Sequence, residues 1–292
     1  MVLVLSATGT VIGLKVLVYR YQGAVHQVAL LDPAARARPA GTGRFSIVAG
    51  PLNLLLLGAD AGTAASGKPP DTMILVHVPA AMDRAYLISV PPDLRVGNET
   101  INARYQRGGP RLLSRTLTQL TGVRFDGAAI IDFAAFTRVV GLLGGVRLCV
   151  DRTGCQQLSS TQALEYVRQR EGLPGGDFDR QRHEQQLLTA LLRQAQPGRM
   201  ATDPVKLDRV VRAAASALTV DTNGVALDRL AFALRHVQSG PLVGVRLPGY
   251  PKKIDGVDYL LPDPAAAGLY QAIGRDTVGQ WVAANHAWVN GL

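Results

Sequence analysis

The chain has 292 residues, of which 47% are hydrophobic, 18% are charged and 5% are aromatic, and its net charge is +9. This length can form one large α/β domain or two small ones. Most of the basic residues are arginines, whose planar guanidinium grips phosphate, so the composition favours phosphorylated ligands or an anionic membrane surface; the low aromatic content and the absence of a basic–aromatic stripe argue against nucleic-acid binding.

The first 19 residues, MVLVLSATGTVIGLKVLVY, are apolar apart from Lys15 and a few small polar residues. Because a helix of about 20 apolar residues spans a bilayer, we expect an uncleaved single-pass anchor over residues 1–22. No positively charged segment precedes the stretch, which is what an anchor with a truncated N-terminus would show. A cleaved signal peptide and a buried N-terminal helix are the alternatives. Residues 32–51 are rich in Pro, Gly, Ala and Arg, a composition that predicts a linker. We place this linker at residues 23–50.

Short apolar runs and helical patterns then intermix along the chain. The runs predict strands at 53–57, 72–78, 85–90, 128–131, 146–150 and 242–247, with a hairpin connection at 80–83. The patterns predict helices from 108–110 to about 120, at 133–143, after a Ser160 N-cap, at 177–196, at about 204–218 and 226–237, and through most of the tail from 263. This mixture predicts one three-layer α/β/α domain with a mixed central sheet.

The chain has two cysteines, Cys149 and Cys155. They are able to close a small disulfide loop if the domain lies outside the cytoplasm. The alternative is two unrelated thiols, and neither has the spacing of a zinc site.

Acidic residues follow or begin the predicted strands. Asp60 comes two residues after a buried apolar run, and Asp71 begins the next run. Two carboxylates at adjacent strand ends are able to share Mg²⁺. The alternative is that each is a turn or cap residue. Asp93 and Arg95 follow a third run in SVPPDLR and are candidates for the same cleft, unless this segment is an ordinary Pro-rich turn.

Arginines cluster in YVRQREGLPGGDFDRQRHEQQ, residues 166–186. Arg168 and Arg170 lie on one side of a glycine-rich turn, and Arg180 and Arg182 lie on the other, where a helix is expected to begin at Asp177. Guanidinium groups beside a helix N-terminus form a favourable site for pyrophosphate. The alternative is a solvated charged surface.

These clusters, in this order, resemble the LytR-CpsA-Psr family. The resemblance covers about residues 50–270 and is carried by NLLLLGAD, PPDTMILVHVPA, LISVPPDL, INARYQRGGPRLL, IDFAAFTRVVGLLGGV and ALEYVRQREGLPGGDFDRQRHEQQLLTALL. It implies an α/β catalytic-type domain at 51–292, outside the cytoplasm, on a single-pass cell-membrane anchor. It also implies a phosphotransferase that moves a glycopolymer from a polyprenyl-pyrophosphate lipid onto peptidoglycan and releases polyprenyl phosphate.

The resemblance also implies roles for individual residues. Asp60 and Asp71 are expected to hold Mg²⁺, Arg168, Arg170 and Arg180 to grip the phosphates, and an apolar tunnel to take the polyprenyl tail. Asp93 is expected to position or activate the acceptor hydroxyl. Further candidates for substrate binding are Arg95, Asn102, Arg104 and Arg182.

This chain departs from the family pattern where the family usually has cations. Pro69 and Pro92 stand where arginines are usual, and His183-Glu184 stands where Arg-Gln is common. Two other functions therefore stay open: a catalytically weakened relative that binds polyprenyl-pyrophosphate lipids as a scaffold, and a lipid pyrophosphatase in which water replaces the sugar acceptor.

Overall fold

The computed structural model describes residues 22–37, 50–59, 69–150, 154–169, 171–194, 203–234, 237 and 240–290. The strands are β1 (His26–Gln27), β2 (Leu52–Ala59), β3 (Thr72–Val78), β4 (Ala85–Ser89), β5 (Arg95–Val96), β6 (Glu99–Thr100), β7 (Gly127–Asp132), β8 (Val146–Val150), β9 (Gly154–Leu158), β10 (Leu218–Asp221), β11 (Leu242–Arg246), β12 (Gly249–Ile254), β13 (Val257–Pro262) and β14 (Val289–Asn290). The α-helices are α1 (Ile101–Thr121), α2 (Phe133–Leu143), α3 (Ser160–Arg168), α4 (Asp177–Gln194), α5 (Pro204–Ser216), α6 (Leu227–Ala233), α7 (Pro264–Gly274) and α8 (Val278–Ala284). Short 3-10 turns occur at Gln22–Ala24, Pro33–Ala35 and His286–Trp288.

The central sheet has the order β1-β10-β7-β2-β3-β4-β11-β14. The pairs β2–β7, β4–β11 and β1–β10 are parallel, whereas β3 runs antiparallel to both β2 and β4. The predicted mixed central sheet is therefore confirmed. Because β3 is reversed, its first residues lie at the same edge as the last residues of β2, β4, β7 and β11.

Side chains alternate between the two faces of the sheet along each strand, and both faces carry apolar side chains. Helices therefore cover both faces. Leu55, Leu57, Met73, Leu75 and Ile88 point into the core under α1, α7 and α8. Ile74, Val76, Val78 and Leu87 point to the other face, where Leu188 of α4 and Leu230 of α6 pack on them. A third cluster joins α2, α3, α4 and β8 through Val140, Val146, Val167 and Leu187.

Helix α1 begins earlier than the sequence predicted. Thr100 caps it by accepting a hydrogen bond from the Ala103 amide, and the helix is interrupted at Gly108 and Gly109, whose φ values are −146° and 60°. Pro110 then starts a second helical segment, which is the part that the sequence predicted. A proline in a first turn lacks only an amide that would have no helical partner there.

Other boundaries also differ from the predictions. Ser159, not Ser160, caps α3, and with Gln162 it forms a capping box. The apolar-run patterns did not predict β9, β10, β12 or β13. In β9 and β12 most residues are exposed, so those strands lack the apolar pattern of a buried one.

Residues 26–37, which lie in the predicted linker, pack onto the domain. Leu31 and Ala35 are fully buried, and β1 pairs with β10. The Asp221 carboxylate accepts hydrogen bonds from the Leu30 and Leu31 amides at 2.9 and 3.0 Å and from Arg36 at 2.9 Å. A linker pattern of Pro, Ala and Arg does not reveal this packing, because it depends on an acidic partner 185 or more residues away.

Cys149 and Cys155 form a disulfide, the first of the two alternatives. They are directly paired across β8 and β9. The predicted anchor lies outside the described residues except for Gln22. Within the described ranges, no helix has both the length and the apolarity that a membrane span needs.

Candidate functional site

Polar side chains gather at the sheet edge where β2, β4, β7 and β11 end and β3 begins. Asp71 precedes β3, and its amide donates to the Gly58 carbonyl of β2 at 3.0 Å. Asp93 follows β4, Asp132 ends β7, and Arg246 ends β11. The N-terminus of α4 reaches the same edge, because Arg180 contacts Asp71. This edge is where α/β sheets commonly bind their ligands.

Arg180 is buried in the middle of this group, with its side chain 2% exposed. Its guanidinium donates to the Asp71 carbonyl at 2.9 Å and to Asp177 Oδ1 at 2.7 Å. It also donates to the Glu184 carboxylate, one helical turn further along α4. Arg180 therefore ties the first turns of α4 to the start of β3.

Glu184 is buried as well. Burial raises the pKa of Glu184 to about 8, and the neighbouring charge of Arg180 opposes the shift. The glutamate that departs from the family pattern thus supplies a second carboxylate to Arg180. His183, the adjacent departure, stacks on Tyr166 with 4.0 Å between ring centroids, and burial lowers its pKa. His183 therefore supplies no cation at neutral pH.

Asp93 lies in the loop after β4, and its carbonyl accepts a hydrogen bond from the Leu260 amide of β13 at 2.9 Å. Burial, and then the charge of Asp177, raise the pKa of Asp93 above its usual range. The Asn102 amide donates to the carbonyl of Pro92, next to Asp93, at 3.1 Å. Within the described part of the chain, the buried Asp93 Oδ1 and Asn102 Oδ1 atoms have no hydrogen-bond partner. Buried oxygens of this kind usually contact a ligand, an ion or water.

An apolar pocket opens beside this polar edge, between the sheet and helices α2, α3 and α4. Its walls include Leu56, Ile131, Phe133, Phe136 and Leu187, and Glu184 is its acidic wall residue. A second apolar cavity under α6 shares Leu56 with it and extends to Leu227 and Leu230. The two cavities are small, about 50 and 60 Å³, and both are lined by apolar residues. The polar edge therefore borders an apolar face of the domain.

Arg168 stands at the mouth of this pocket. It is the last residue of α3, its side chain is exposed, and its guanidinium lies over the Phe133 ring at 5.9 Å from the centroid. Arg182 pairs with Asp179 at 2.9 Å. Of the predicted arginines, Arg168 thus contacts the wall residue Phe133, and Arg180 contacts the wall residue Glu184.

Arg95 and Arg104 lie beside the Asp93 loop. Arg95 donates to the Gly97 carbonyl at 2.9 Å and stacks on Tyr259 at 5.4 Å. Arg104 pairs with Glu99 at 2.5 Å. The described contacts of both arginines are with these neighbours, so the structure places them next to Asp93 and not around Arg180.

Two predicted site residues, Asp60 and Arg170, lie outside the described residues. Within the described residues, no group of three or more His, Cys, Asp or Glu side chains is arranged to hold a metal ion. A site shared by Asp60 and Asp71 therefore stays a prediction.

The sequence analysis missed Gln185 and Arg246. The Gln185 amide donates to the Leu87 and Val245 carbonyls and to Ser89 Oγ, at 2.7, 3.1 and 2.7 Å, and so holds α4 on β4 and β11. Arg246 lies between the rings of Phe178 and Trp288, 5.0 and 4.7 Å from their centroids. An arginine at the end of the predicted strand 242–247, just before Leu-Pro-Gly, was the available signal for Arg246.

Comparison with known proteins agrees with this arrangement. The sequence matches the LytR_cpsA_psr family over residues 17–273. It is 31% identical to LcpB of Corynebacterium glutamicum, a probable cell wall biosynthesis protein, over 56% of this chain and 44% of that protein. It is 25% identical to the cell wall biosynthesis protein LcpA of the same organism, over 68% of this chain and 50% of that protein. The chain thus spans about half the length of these curated relatives.

The fold is also similar to that of a solved structure, TagT bound to LI-WTA. The TM-score is 0.65 with 20% sequence identity, and the match covers 85% of this chain and 98% of that one. At this identity the likeness establishes the fold alone.

Proposed function

Since the chain belongs to the LytR_cpsA_psr family, we propose that it transfers a glycopolymer from a polyprenyl-pyrophosphate lipid onto peptidoglycan at the outer face of the cell membrane. The observation that carries this proposal is the junction of a charged sheet edge with an apolar pocket. The names of LcpA and LcpB as cell wall biosynthesis proteins support it, as does the ligand in the name of the TagT structure.

The pocket accounts for the lipid part of the substrate. In the proposal the polyprenyl tail lies against Leu56, Ile131, Phe133, Phe136 and Leu187, which removes its apolar surface from water. The pyrophosphate then lies at the pocket mouth, where Arg168 and Arg170 are proposed to bind it. Arg182 is proposed to add long-range attraction at the same end of α4.

Asp60 and Asp71 are proposed to hold Mg²⁺ on the pyrophosphate. Carboxylate oxygens are the ligands that this ion prefers, and a site of one or two carboxylates plus phosphates is common. The buried Asp93 Oδ1 atom lies at the same edge and has no hydrogen-bond partner among the described residues. A bound ligand at this edge would supply that partner. When bound, the ion neutralises charge on the pyrophosphate.

Asp93 is proposed to accept the proton of the acceptor hydroxyl. The hydroxyl oxygen bonds to the phosphorus that carries the glycopolymer, the bond to the bridging oxygen breaks, and polyprenyl phosphate leaves. A carboxylate whose pKa is raised by burial and by Asp177 is a better proton acceptor than an ordinary aspartate. Asn102, Arg95 and Arg104 lie next to Asp93 and are proposed to contact the acceptor.

A second candidate is a weakened relative that binds the lipid as a scaffold, or that hydrolyses it as a pyrophosphatase. The observation that favours it is the pairing of Arg180 with both Asp177 and Glu184. An arginine whose donors are already taken up by two carboxyl groups has fewer of them left for a phosphate than an unpaired arginine has.

The disulfide supports the proposed location of the domain. Disulfides persist in oxidising compartments outside the cytoplasm, so Cys149–Cys155 fits a domain on the extracytoplasmic face. The single-pass anchor remains part of this proposal.

The test is a reaction of the full chain with a lipid-pyrophosphate glycan, Mg²⁺ and peptidoglycan oligomers. The proposal expects Mg²⁺-dependent transfer that falls by at least about tenfold in Arg168→Ala, the effect of losing one charge-assisted contact. Arg147→Ala, an exposed arginine on β8, is the matched control and should keep the wild-type rate. Lipid binding without transfer favours the scaffold, and cleavage without transfer favours the pyrophosphatase. A protein that neither binds nor cleaves the lipid contradicts both candidates.

A further inference from the structure

A second concentration of arginines lies away from the polar edge, in an open groove between α2 and α5. Arg138 of α2 and Arg209 and Arg212 of α5 line it, with Leu142 and Ala213 as apolar walls. The groove shares no wall residue with the apolar pocket beside Glu184. It is therefore a basic surface separate from that pocket.

The arginines of α5 belong to one stripe of that helix. Val205, Arg209, Arg212 and Ser216 follow one another at spacings of four, three and four residues, so they share one helix face. Val205 is 59% exposed, and Arg212 is held by Asp208 at 3.0 Å. Basic residues grouped on one exposed face are attracted to anionic lipid head groups.

The described N-terminal turn leads to the same place. The 3-10 turn Gln22–Ala24 contacts α5, and β1 pairs with β10, the strand that follows α5. The apolar residues 1–19 directly precede this turn in the chain. With these residues as the proposed anchor, the chain leaves the membrane next to α5, one of the two helices that form the groove.

We propose that the groove of Arg138, Arg209 and Arg212 binds the phosphate head groups of an anionic phospholipid surface. The occupant follows from charge and composition: phosphate matches guanidinium, and the apolar walls and Val205 tolerate contact with acyl chains. The groove would thus fix how the domain lies on the membrane. The inference rests on the proposed function in one respect only, the membrane location.

The first experiment compares vesicles of phosphatidylcholine with vesicles that contain one part phosphatidylglycerol to two parts phosphatidylcholine. Because the apolar N-terminal residues can bind both kinds, the readout is the ratio of the full chain's partition coefficients on anionic and neutral vesicles. The triple variant Arg138→Gln/Arg209→Gln/Arg212→Gln should lower this ratio by at least about tenfold, given the usual contribution of each basic residue near an anionic surface.

The matched control removes the same charge from the opposite face of the sheet. Arg111 and Arg115 of α1 and Arg124 after it are exposed, so Arg111→Gln/Arg115→Gln/Arg124→Gln should leave the ratio within about twofold of wild type. An equal loss in both triple variants would mean that net charge alone attracts the protein, and it would overturn the proposal.

A second measurement needs no arginine replacement, in case the groove variant does not fold. An environment-sensitive fluorophore on Ser216→Cys, at the end of the α5 stripe, should shift to the blue on anionic but not on neutral vesicles. The same label on Gln119→Cys, exposed on α1, should not shift. No shift at either position, or equal shifts at both, would contradict the groove.

These results separate the groove from the proposed transferase site. Arg168→Ala should keep the anionic-to-neutral ratio while it loses binding of the lipid pyrophosphate in detergent. The groove variant should show the reverse, so either proposal can fail while the other stands.

Discussion

The buried Arg180 guanidinium donates a hydrogen bond to the buried Glu184 carboxyl group one turn further along α4, and both side chains lie against the start of β3. Two ionisable groups in such a position have a cost, because each must leave water, and the cost is recovered only through their partners. Asp177 and the Asp71 carbonyl complete the set around Arg180. The pair therefore fixes α4 at the sheet edge and also sets how much positive charge that edge presents.

Replacing Glu184 by Gln should change how stability depends on pH. The folded-state pKa of Glu184 is about 8, above its ordinary value of 4.5, so folding takes up a proton between these values and stability falls as pH rises through them. Glu184→Gln lacks this loss. Its free energy of unfolding relative to wild type should rise by more than about 1 kcal/mol between pH 5 and pH 8, measured by urea unfolding.

The control for this variant is Glu171→Gln, which removes an exposed glutamate near α4. Its stability relative to wild type should not vary over the same pH range. A Glu184→Gln difference that is constant with pH would show that the carboxyl titrates as an ordinary glutamate.

His77 should act in the opposite direction. Its ring is fully buried, with Nδ1 2.8 Å from Asn53 Oδ1 and Nε2 3.1 Å from Asp276 Oδ1, and burial lowers its pKa despite the Asp276 charge. The unfolded chain then binds a proton more readily, so stability falls as pH drops below about 6.5. His77→Gln should flatten this part of the pH–stability curve, whereas His26→Gln, at an exposed position, should leave it unchanged.

Gly58 should not accept a side chain. A Cβ there would lie 2.8 Å from Phe133 Cζ and 3.0 Å from Thr72 Cβ, inside the wall of the apolar pocket. Gly58→Ala should lower stability by about 1–3 kcal/mol through overpacking, and it should weaken binding of a polyprenyl phosphate because Phe133 must move. Gly274→Ala, with open space around the new Cβ, is the control and should change neither property. Normal lipid binding by a stably folded Gly58→Ala would separate this pocket from the tail.

The disulfide should contribute to stability. It closes a loop with a sequence separation of 6, so its loss is expected to cost roughly 2 kcal/mol. Cys149→Ser/Cys155→Ser should therefore melt below the wild type under oxidising conditions and equal to it in excess reductant. Equal melting temperatures in both conditions would mean that the β8–β9 hairpin is held without the bond.

Local patterns predicted the elements that are buried or strongly periodic. The runs of β2 and β3 were recognisable because they are short, continuous and apolar, as in strands that are covered on both faces. The helix Phe133–Leu143 was recognisable because its apolar residues recur at helical spacing. Strands β9 and β12 were not, because they are largely exposed and are specified by their partners. The first half of α1 was missed as well. Thr100 caps the helix, but the Gly-Gly-Pro sequence at residues 108–110 has the pattern of a helix start.

The candidate site was predictable in its residue types but not in its pairing. Asp71, Asp93 and Arg180 are recognisable because polar residues interrupt an apolar framework at strand and helix ends. The sequence could not show that Arg180 faces Asp177 and Glu184, since that depends on how α4 docks on β3. Nor could it show that Gln185 fixes this docking through two carbonyls and a hydroxyl on neighbouring strands.

The central claim is that one amphipathic lipid occupies the apolar pocket and the charged edge together. The most direct measurement is a crystal structure of the protein with a polyprenyl pyrophosphate and Mg²⁺. The account predicts the tail between Phe133, Phe136 and Leu187, with the phosphates beside Arg168 and the ion at Asp71. A tail bound elsewhere, or phosphates on the far side of the sheet from Arg168, would contradict it.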